Sequence, residues 1–231
     1  MYRCCVQAKN MKKLLLMFIV MTAILNSCRQ ERNSNEDKIS IELKESQLFI
    51  ETDNQTRTDV SKQNNVDTKF VYANENGQEL IIENSYPRGG LKYSDPMGVE
   101  YVYAVFWTRV TNNTSEPVEL TMEFLEKSYQ LPSAPDRIFK LLIPSDTLTL
   151  KKETLTNYGL DVNKYLNSHL HTQNRFKRTI KPNDSSGLYV VTLFNQGVNG
   201  TLRSGLKING DRLLYRVNDK TIDCGEIGLK K

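Results

Sequence analysis

Few residues in this chain have the types and spacing that acid–base, metal or redox chemistry requires. The two histidines, His169 and His171, lie two positions apart at the end of a predicted helix. Side chains at that spacing point about 200° apart, so the pair could share a metal ion only with further ligands. Glu123 and Glu126 have the types of an acid–base pair, but the pattern around Glu123 favours a solvated strand face. We therefore expect no metal ion and no cofactor, and we identify no catalytic residue.

The four cysteines indicate neither a disulfide framework nor a reactive thiol. Cys4 and Cys5 lie in a segment that we expect to be removed, and Cys28 has the separate role described below. Cys224 then has no partner for an intramolecular disulfide. It lies in a short predicted terminal strand, where a cysteine is typically a small buried apolar residue. A catalytic thiol would require a histidine partner, and the sequence places none near it.

The net charge of the chain belongs to its first 27 residues. The 231 residues include 31 basic and 27 acidic side chains, which gives a formal net charge of +4. Four basic residues and no acidic residue precede position 28, so 27 of each sign remain in the rest of the chain. A balanced body does not concentrate polyanions, and we expect no nucleic-acid partner. The sequence also contains no P-loop, dinucleotide fingerprint, nucleophile elbow or calcium loop.

The N-terminal segment has the layout of a secretory signal peptide. Lys12 and Lys13 precede the run Leu14 to Leu25, which is apolar except for Thr22. A helix needs about 20 apolar residues to span a bilayer core, and this run is shorter. A short apolar run behind basic residues is typical of a signal peptide. Met11 is a more natural start than Met1, so residues 1–10 are either a long leader or lie before the true start codon.

The apolar run ends in Leu25-Asn26-Ser27-Cys28, which resembles the lipobox of bacterial lipoproteins. Leu25, Ser27 and Cys28 fit that motif, whereas Asn26 is a less usual residue at its position. The resemblance implies cleavage between Ser27 and Cys28 and a lipid thioether on Cys28, with acyl chains such as palmitate as the membrane anchor. Two alternatives stay open: residues 14–25 are an uncleaved anchor, or Cys28 follows an ordinary signal peptide by chance.

Two further regions follow the leader: a polar tether over residues 28–68 and a β-rich domain over residues 69–231. The tether is rich in amide and charged side chains and contains no Gly or Pro, which is typical of a solvated linker. Within it, Ile39, Ile41 and Leu43 alternate and Leu48 and Ile50 follow, a pattern that could form one short strand.

The domain shows repeated strand patterns separated by polar turns. Tyr101–Val110 and Gly187–Phe194 are apolar on both faces, which predicts two central strands. Val118–Phe124 alternates, which predicts one buried and one solvated face. Asp161 is the predicted N-cap of one short helix, which we expect to close an end or edge of the sheet. The other predicted strands are Phe70–Ala73, Glu79–Glu83, Ile138–Ile143, Thr147–Leu150, Leu202–Ile208, Leu213–Val217 and Ile222–Cys224.

About nine or ten short strands with one helix favour an antiparallel β-sandwich. The unit from Trp107 to Phe124, in which an Asn-rich turn and Pro117 precede an alternating strand, resembles the strand-B-to-strand-C region of bacterial immunoglobulin-like domains. The resemblance implies the architecture only, because the disulfide of many such domains is absent. The chain as a whole resembles small lipoproteins of Bacteroidetes-type bacteria, which implies a location and supplies no activity.

Two features of the domain are candidates for binding. Residues 86–96 form a predicted polar loop in which Tyr86, Arg88, Lys92 and Tyr93 could hold a glycan or an envelope protein. The alternative is a crossover loop whose tyrosines fold back onto the sheet. The second candidate is a basic segment, Arg175–Arg178 with Lys181. It favours an edge strand whose charged side chains discourage pairing with a further strand. The alternative is a surface patch that binds an anionic ligand.

The sequence therefore predicts a lipid-anchored protein of the cell envelope that acts as a binding or structural module, not as an enzyme. The alternative is an envelope carbohydrate-active enzyme of the glycoside-hydrolase type whose carboxylates are not recognisable in sequence. The anchor implies a periplasmic or surface face, and the outer membrane is favoured over the inner one. Arg29-Gln30 follows Cys28 where Bacteroidetes-type surface lipoproteins tend to carry acidic residues, so the leaflet stays open.

Overall fold

The structure is a computed structural model that describes residues 50–51, 65–172 and 175–229. These residues belong to one compact unit, Gln47–Lys231. The described part of the chain is mainly β, with one α-helix, α1 (Val162–His169). Among the described residues, no helix is long and apolar enough to cross a membrane. The strands are β1 (Ile50–Glu51), β2 (Val66–Ala73), β3 (Glu79–Ser85), β4 (Arg88–Ser94), β5 (Glu100–Asn113), β6 (Val118–Glu123), β7 (Tyr129–Leu131), β8 (Ala134–Leu142), β9 (Arg175–Ile180), β10 (Asp184–Phe194), β11 (Ser204–Asn209), β12 (Arg212–Val217) and β13 (Lys220–Leu229).

The strands form two antiparallel sheets. Sheet A has the order β1-β2-β3-β5-β10-β8-β7, and β4 also pairs with β5. Sheet B has the order β11-β12-β13-β6-β9. The basic segment from Arg175 is therefore an edge strand, as the sequence predicted. Strands β5 and β6 are consecutive in the chain but lie in different sheets, so the turn between them crosses from one sheet to the other.

One hydrophobic cluster, the inter-sheet cluster, is shared by the inner faces of both sheets. Sheet A contributes Phe106 and Val190, and sheet B contributes Leu120 and Tyr215, all of them almost fully buried. Strand β6 shows the predicted alternation, because its even-numbered residues are buried and its odd-numbered residues are partly exposed. Burial of these side chains is the main favourable contribution to the stability of the unit.

The opposite face of sheet A is also covered, which explains why its central strands are apolar on both sides. Val105 and Trp107 on β5 and Tyr189 on β10 belong to a second cluster, the outer cluster, together with Tyr158 and Leu166 of the segment 143–170. Side chains alternate between faces along a strand, so a strand covered on both sides has no polar face. The prediction of two central strands is confirmed.

The predicted helix is present, but it lies over the face of sheet A and not at an end or edge. Asp161 caps α1 as predicted, because its Oδ1 accepts a hydrogen bond from the Lys164 backbone N–H at 3.1 Å. The buried residues of α1, Val162 and Leu166 among them, share the outer cluster with Trp107. The sequence identified the apolar stripe of the helix but not the sheet face that it covers.

Three segments differ from the sequence predictions. Thr147–Leu150 is not a strand but part of the irregular cover of sheet A. Arg88–Ser94, predicted as a loop, is strand β4. At the N-terminal side, β2 begins at Val66 and not at Phe70, and Ile50–Glu51 forms a short strand, which the sequence left open, that pairs with β2.

A buried asparagine, Asn84 on β3, joins sheet A to the edge of sheet B. Its Nδ2 donates to the Leu206 carbonyl at 2.9 Å, and its Oδ1 accepts from the Leu206 N–H at 2.9 Å. Thr108 Oγ1 also donates to Oδ1, at 2.8 Å. The amide thus occupies the place of a neighbouring strand on the open side of β11. Gly205 lies against it, because a Cβ at that position would be 2.8 Å from Asn84 Cγ.

A second buried asparagine, Asn112 at the end of β5, makes the equivalent connection at the other edge of sheet B. Its Nδ2 donates to the Ile180 carbonyl on β9 at 3.0 Å and to the Glu116 carbonyl at 2.9 Å. Its Oδ1 accepts from the Thr114 hydroxyl and backbone N–H, at 2.7 and 3.0 Å. Both edge strands of sheet B are therefore tied to sheet A by a fully buried side-chain amide.

Replacement of Asn84 by alanine tests this connection. We expect Asn84→Ala to lower the free energy of unfolding by about 3 kcal/mol, because it leaves the buried N–H and C=O of Leu206 without partners. The matched control is Asn113→Ala, since Asn113 is exposed at the end of β5. This substitution should change the free energy of unfolding by no more than about 0.5 kcal/mol. Urea unfolding followed by tryptophan fluorescence measures both, and equal losses would contradict the assignment.

Candidate binding site

The four residues predicted to form a binding loop lie on or just before strand β4 and do not share one face. Tyr93 is buried, its ring is 6.4 Å from that of Tyr101, and its hydroxyl donates to Asn167 Oδ1 at 3.0 Å. Lys92, the preceding residue on the strand, points to the other side and pairs with Glu100 at 3.1 Å in an exposed ion pair. Tyr93 therefore folds back onto the sheet, the alternative that the sequence left open.

Arg88 and Tyr86 instead gather around Tyr158, which belongs to the cover of sheet A. The Arg88 guanidinium carbon lies 4.4 Å from the centre of the Tyr158 ring, and the guanidinium donates to the Leu155 carbonyl and, at 3.0 Å, to Asn65 Oδ1. The Tyr158 hydroxyl donates to the Tyr86 carbonyl at 2.6 Å. Arg88 thus holds the cover against the sheet, and its planar charge is already stacked and hydrogen-bonded.

Tyr158 is held in an unusual backbone conformation by these contacts. Asn157, Tyr158 and Gly159 all have positive φ angles, of 48°, 55° and 72°. A large residue in this region is strained and persists only where its surroundings fix it. Burial raises the pKa of the Tyr158 phenol, and the nearby Ser85 and Arg88 lower it in part. The tyrosine is an anchor of the outer cluster.

Two described carboxylates, of Glu83 and Glu153, converge on one guanidinium, that of Arg109. Glu83 Oε2 lies 3.2 Å from Arg109 Nη1, and Glu153 is paired with Nη2 of the same arginine. Glu83 and Arg109 are opposite each other on β3 and β5, whereas Glu153 belongs to the cover. This triad joins the cover to the sheet, as Arg88 does, and each carboxylate has a cationic partner.

A groove of about 350 Å³ with charged and apolar walls brings together Glu126 and His171, which the sequence considered separately. It is lined by Glu126 and Lys127 after β6, by Lys140 on β8, and by His171 after α1. Glu123 is not part of it and lies on β6 opposite Arg175. His169 is instead stacked on Tyr165, with ring centres 4.7 Å apart. In the described part of the chain, no three His, Cys, Asp or Glu side chains gather in a way that could hold a metal ion.

The basic edge strand β9 is partly neutralised by its neighbour. Lys177 Nζ lies 2.8 Å from Glu119 Oε1 on β6, and the Arg178 guanidinium lies 5.4 Å from the centre of the Phe176 ring. Phe176 itself is buried in the inter-sheet cluster. These contacts fit a charged edge strand, in which the side chains at exposed positions discourage further pairing.

A slot of about 370 Å³ opens beside the first half of β4, and we take it as the candidate binding site. One wall is formed by Pro87, Gly89 and Gly90, and the other by the segment from Gly197 to Leu202. Between them, residues 102–104 and Phe194 also line it. No lining residue of the slot is charged, whereas Glu126, Lys127 and Lys140 line the groove described above.

The glycines of β4 create one wall of this slot. Gly89 pairs with Ala104 and Leu91 pairs with Tyr103, so Gly90 is the extra residue of a β-bulge. Its φ of 74° lies in the left-handed region that favours glycine, and a Cβ on Gly89 would lie 2.7 Å from the Tyr103 carbonyl oxygen. The two adjacent glycines therefore give β4 a backbone shape and a side-chain-free surface that no other residue pair would provide.

None of Tyr86, Arg88, Lys92 and Tyr93 lines the slot, and the sequence predicted neither the slot nor its wall at Gly197–Leu202. The only local signal there is a turn-rich stretch with Gly197 and Gly200, which indicates a loop but not its neighbours. The predicted cleavage and lipidation residues, Ser27 and Cys28, lie outside the described residues.

Cys224 is buried in the inter-sheet cluster, as its sequence context suggested. It is the extra residue of a bulge in β13, and its thiol donates to the Leu213 carbonyl at 3.3 Å. Burial raises the pKa of this thiol to about 12, with a smaller contribution from Asp223. A nucleophilic cysteine needs a stabilised thiolate, so this environment suits a packing role.

No family model, no curated protein and no solved structure matches this chain.

Substitution of Arg88 separates a structural role from a binding role. We expect Arg88→Met to lower the free energy of unfolding by about 2 kcal/mol, because it removes a stacked cation and the donors to Leu155 and Asn65. Lys92→Met is the matched control on the same strand, and its exposed ion pair should contribute less than about 0.5 kcal/mol. Thermal and urea unfolding compare the two, and an unchanged stability of Arg88→Met would contradict the role given to Arg88.

The raised pKa of Cys224 predicts slow alkylation. At pH 8 a thiol with a pKa of about 12 is ionised in on the order of one molecule in ten thousand, and burial also excludes the reagent. We expect the Cys224 peptide to remain unmodified by iodoacetamide in the folded protein and to be fully modified in urea. Peptide mass mapping measures this residue apart from the other cysteines. Rapid modification in the folded state would show that the thiol is accessible.

Proposed function

We propose that this protein is a lipid-anchored component of the bacterial cell envelope that acts as a binding module and not as an enzyme. The observation that carries this proposal is the N-terminal sequence: Lys12-Lys13, a short apolar run, and Leu25-Asn26-Ser27-Cys28 at its end. A diacylated or triacylated Cys28 anchors a protein stably, whereas one chain gives marginal binding. The outer membrane, with the domain on its periplasmic or surface side, is the proposed location.

The domain has features that suit binding on a rigid support. Its two sheets share a core, and Asn84 and Asn112 fix their relative position. A support of this kind places loops and slots reproducibly, which favours recognition. The slot beside Gly89 and Gly90 is the proposed site, in place of a single surface formed by Tyr86, Arg88, Lys92 and Tyr93. Only Tyr86 and Lys92 of these four present a substantial exposed surface.

We propose for the fold the finer description of an immunoglobulin-like β-sandwich. The crossing of the β5–β6 turn from sheet A to sheet B supports it, because strands B and C of immunoglobulin-like domains also lie in different sheets. The inter-sheet cluster supports it as well. The additional cover of sheet A by residues 143–170 is then an elaboration of that architecture.

Mass spectrometry of the protein from a bacterial membrane fraction tests the anchor. We expect a mature chain that begins at residue 28 and carries the additional mass of the acyl chains, and we expect protease treatment of intact cells to report the exposed face. Cys28→Ser is the matched control, and it should prevent lipidation without changing the folded unit. An unmodified chain that begins at residue 28, or one that retains the first 27 residues in the cytosol, would refute the anchor.

A further inference from the structure

Strand β4 lies at an edge of sheet A, and its outer side has no partner among the described strands. It pairs only with β5, and in the turn between the two the Asp95 N–H donates to the Val99 carbonyl at 2.9 Å. Backbone groups alternate between the two sides of a strand, so those of Tyr93 also face β5, and those of Lys92 and Ser94 face away from it. Both of these residues are exposed, and no described residue is hydrogen-bonded to the backbone of either one on the outer side.

The pairing on this side of the sheet ends where β4 begins. The Asn65 carbonyl, directly before β2, accepts a hydrogen bond from the Tyr86 N–H at 3.1 Å. The φ angle of Asn65 is 53°, which interrupts the extended backbone that would continue beside β4.

The connection between Glu51 and Asn65 is too short to cover the far end of β4. Glu51 pairs with Tyr72 on β2. A path along the strands from that level to Ser94 and back to Asn65 is longer than about 60 Å. The steps from residue 51 to residue 65 extend at most about 50 Å. A strand that covers this end of β4 therefore does not come from that connection.

The edges of sheet B are protected, in contrast to the edge at β4. On β11, Asn84 binds both backbone groups of Leu206, and the Tyr72 hydroxyl accepts a hydrogen bond from the Ile208 N–H at 2.9 Å. On β9, charged side chains such as that of Lys177 are exposed. Soluble proteins protect edge strands in these ways because unpaired ladder groups bind a further strand.

The side chains of β4 protect its edge poorly. Leu91 is 55% exposed, and the charge of Lys92 is paired with Glu100 at 3.1 Å. Gly89 and Gly90 carry no side chain, and both line the slot. A strand with free ladder groups, an exposed apolar residue and an adjoining apolar slot suits the recognition of an extended peptide, whose backbone completes the ladder.

We propose that β4 binds an extended segment of a partner protein as an added strand, with one large apolar side chain of that segment in the slot over Gly89 and Gly90. Alternate side chains of an added strand point to the face of sheet A on which Val102 and Ala104 line the slot. A large side chain on a neighbouring strand covers glycine well and gains free energy by leaving water. The proposal rests on the binding role proposed above and names the kind of partner.

A synthetic peptide of defined pattern tests strand addition. It is blocked at both ends, threonine alternates with valine, and phenylalanine replaces the central valine. The protein is the full chain with Cys28→Ser, which removes the attachment site of the proposed anchor. We expect saturable binding with a Kd below about 1 mM, measured by the fluorescence polarisation of a dye on the peptide. Absence of saturable binding overturns the proposal.

Two N-methylated forms of the peptide test its backbone contacts. One form is methylated on every threonine nitrogen, and the other on every valine and phenylalanine nitrogen. Only alternate N–H groups of an added strand face β4, so we expect one form to bind and the other to bind at least about tenfold more weakly. Equal binding by the two forms overturns the proposal, because an apolar contact without a ladder does not distinguish them.

A proline on β4 tests the same ladder from the side of the protein. Lys92→Pro removes the N–H that faces away from β5, and proline is tolerated where the N–H of an edge strand faces solvent. Lys92→Ala removes the same side chain and keeps the N–H. We expect Lys92→Pro to bind the peptide at least about fivefold more weakly than Lys92→Ala. Equal affinities of two folded variants overturn the proposal, and the N-methylated peptides decide the matter if Lys92→Pro does not fold.

Occlusion of the slot tests the position of the apolar side chain. At Gly197, which lines the slot, no atom lies within 4 Å of the position of a Cβ, and the φ angle is not left-handed. Gly228 on β13 meets the same two conditions away from the slot, so Gly228→Phe is the matched control for Gly197→Phe. We expect replacement of the peptide phenylalanine by alanine to weaken binding at least about tenfold in the control and less than about twofold in Gly197→Phe. An equal effect in both variants overturns the placement in the slot.

Sedimentation of the chain without peptide tests a second copy as the occupant. We expect a monomer with β4 free, and a dimer that the peptide does not dissociate overturns the assignment to a partner protein. These results are independent of the anchor. A lipidated Cys28 with an inert β4 and an unlipidated chain that binds the peptide are separate outcomes.

Discussion

The relative position of the two sheets depends on two buried side-chain amides. Asn84 satisfies both backbone groups of Leu206, and Asn112 satisfies the carbonyl of Ile180, so each edge strand of sheet B is bound by a side chain of sheet A. Apolar burial alone does not fix how two sheets are aligned, because it has no direction. A buried amide left without partners is costly, and this cost selects the one alignment in which all its hydrogen bonds form.

The cover of sheet A depends on a different kind of contact. Its apolar side chains fill the outer cluster, but charged groups hold its position: Glu153 pairs with Arg109, and Arg88 stacks on Tyr158. Both arginines project from sheet A to the irregular segment between β8 and α1. The backbone hydrogen bonds within this segment are local turn bonds, such as the one from the Lys152 N–H to the Thr149 carbonyl, so side chains make the polar contacts that connect it to the sheet. The strained conformation of Tyr158 follows from these contacts.

The sequence predicted the parts of the fold that depend on periodicity. Two-faced apolar runs identified β5 and β10 as central strands, and Asp161 with its apolar stripe identified α1. Prediction from the sequence was wrong where one residue type occurs in two different kinds of structure. Gly89 and Gly90 indicated a loop, yet here they form a bulge in β4. Asparagine is typical of turns. Asn84 and Asn112 instead bind Leu206 and Ile180, which lie more than 60 positions away in the sequence, and a local pattern carries no information about such distant partners.

The same distinction explains why the sequence did not predict the slot. The slot lies where glycines on β4 face glycines after β10, so backbone forms much of its walls and the apolar residues between them remain accessible. Elsewhere in sheet A, large side chains such as Trp107 and Phe106 close both faces. An apolar ligand in the slot would extend the inter-sheet cluster by covering Phe194 and Leu202. The ligand would then complete the hydrophobic core at the point where the protein supplies no side chains to do so, which links the site to the packing of the fold.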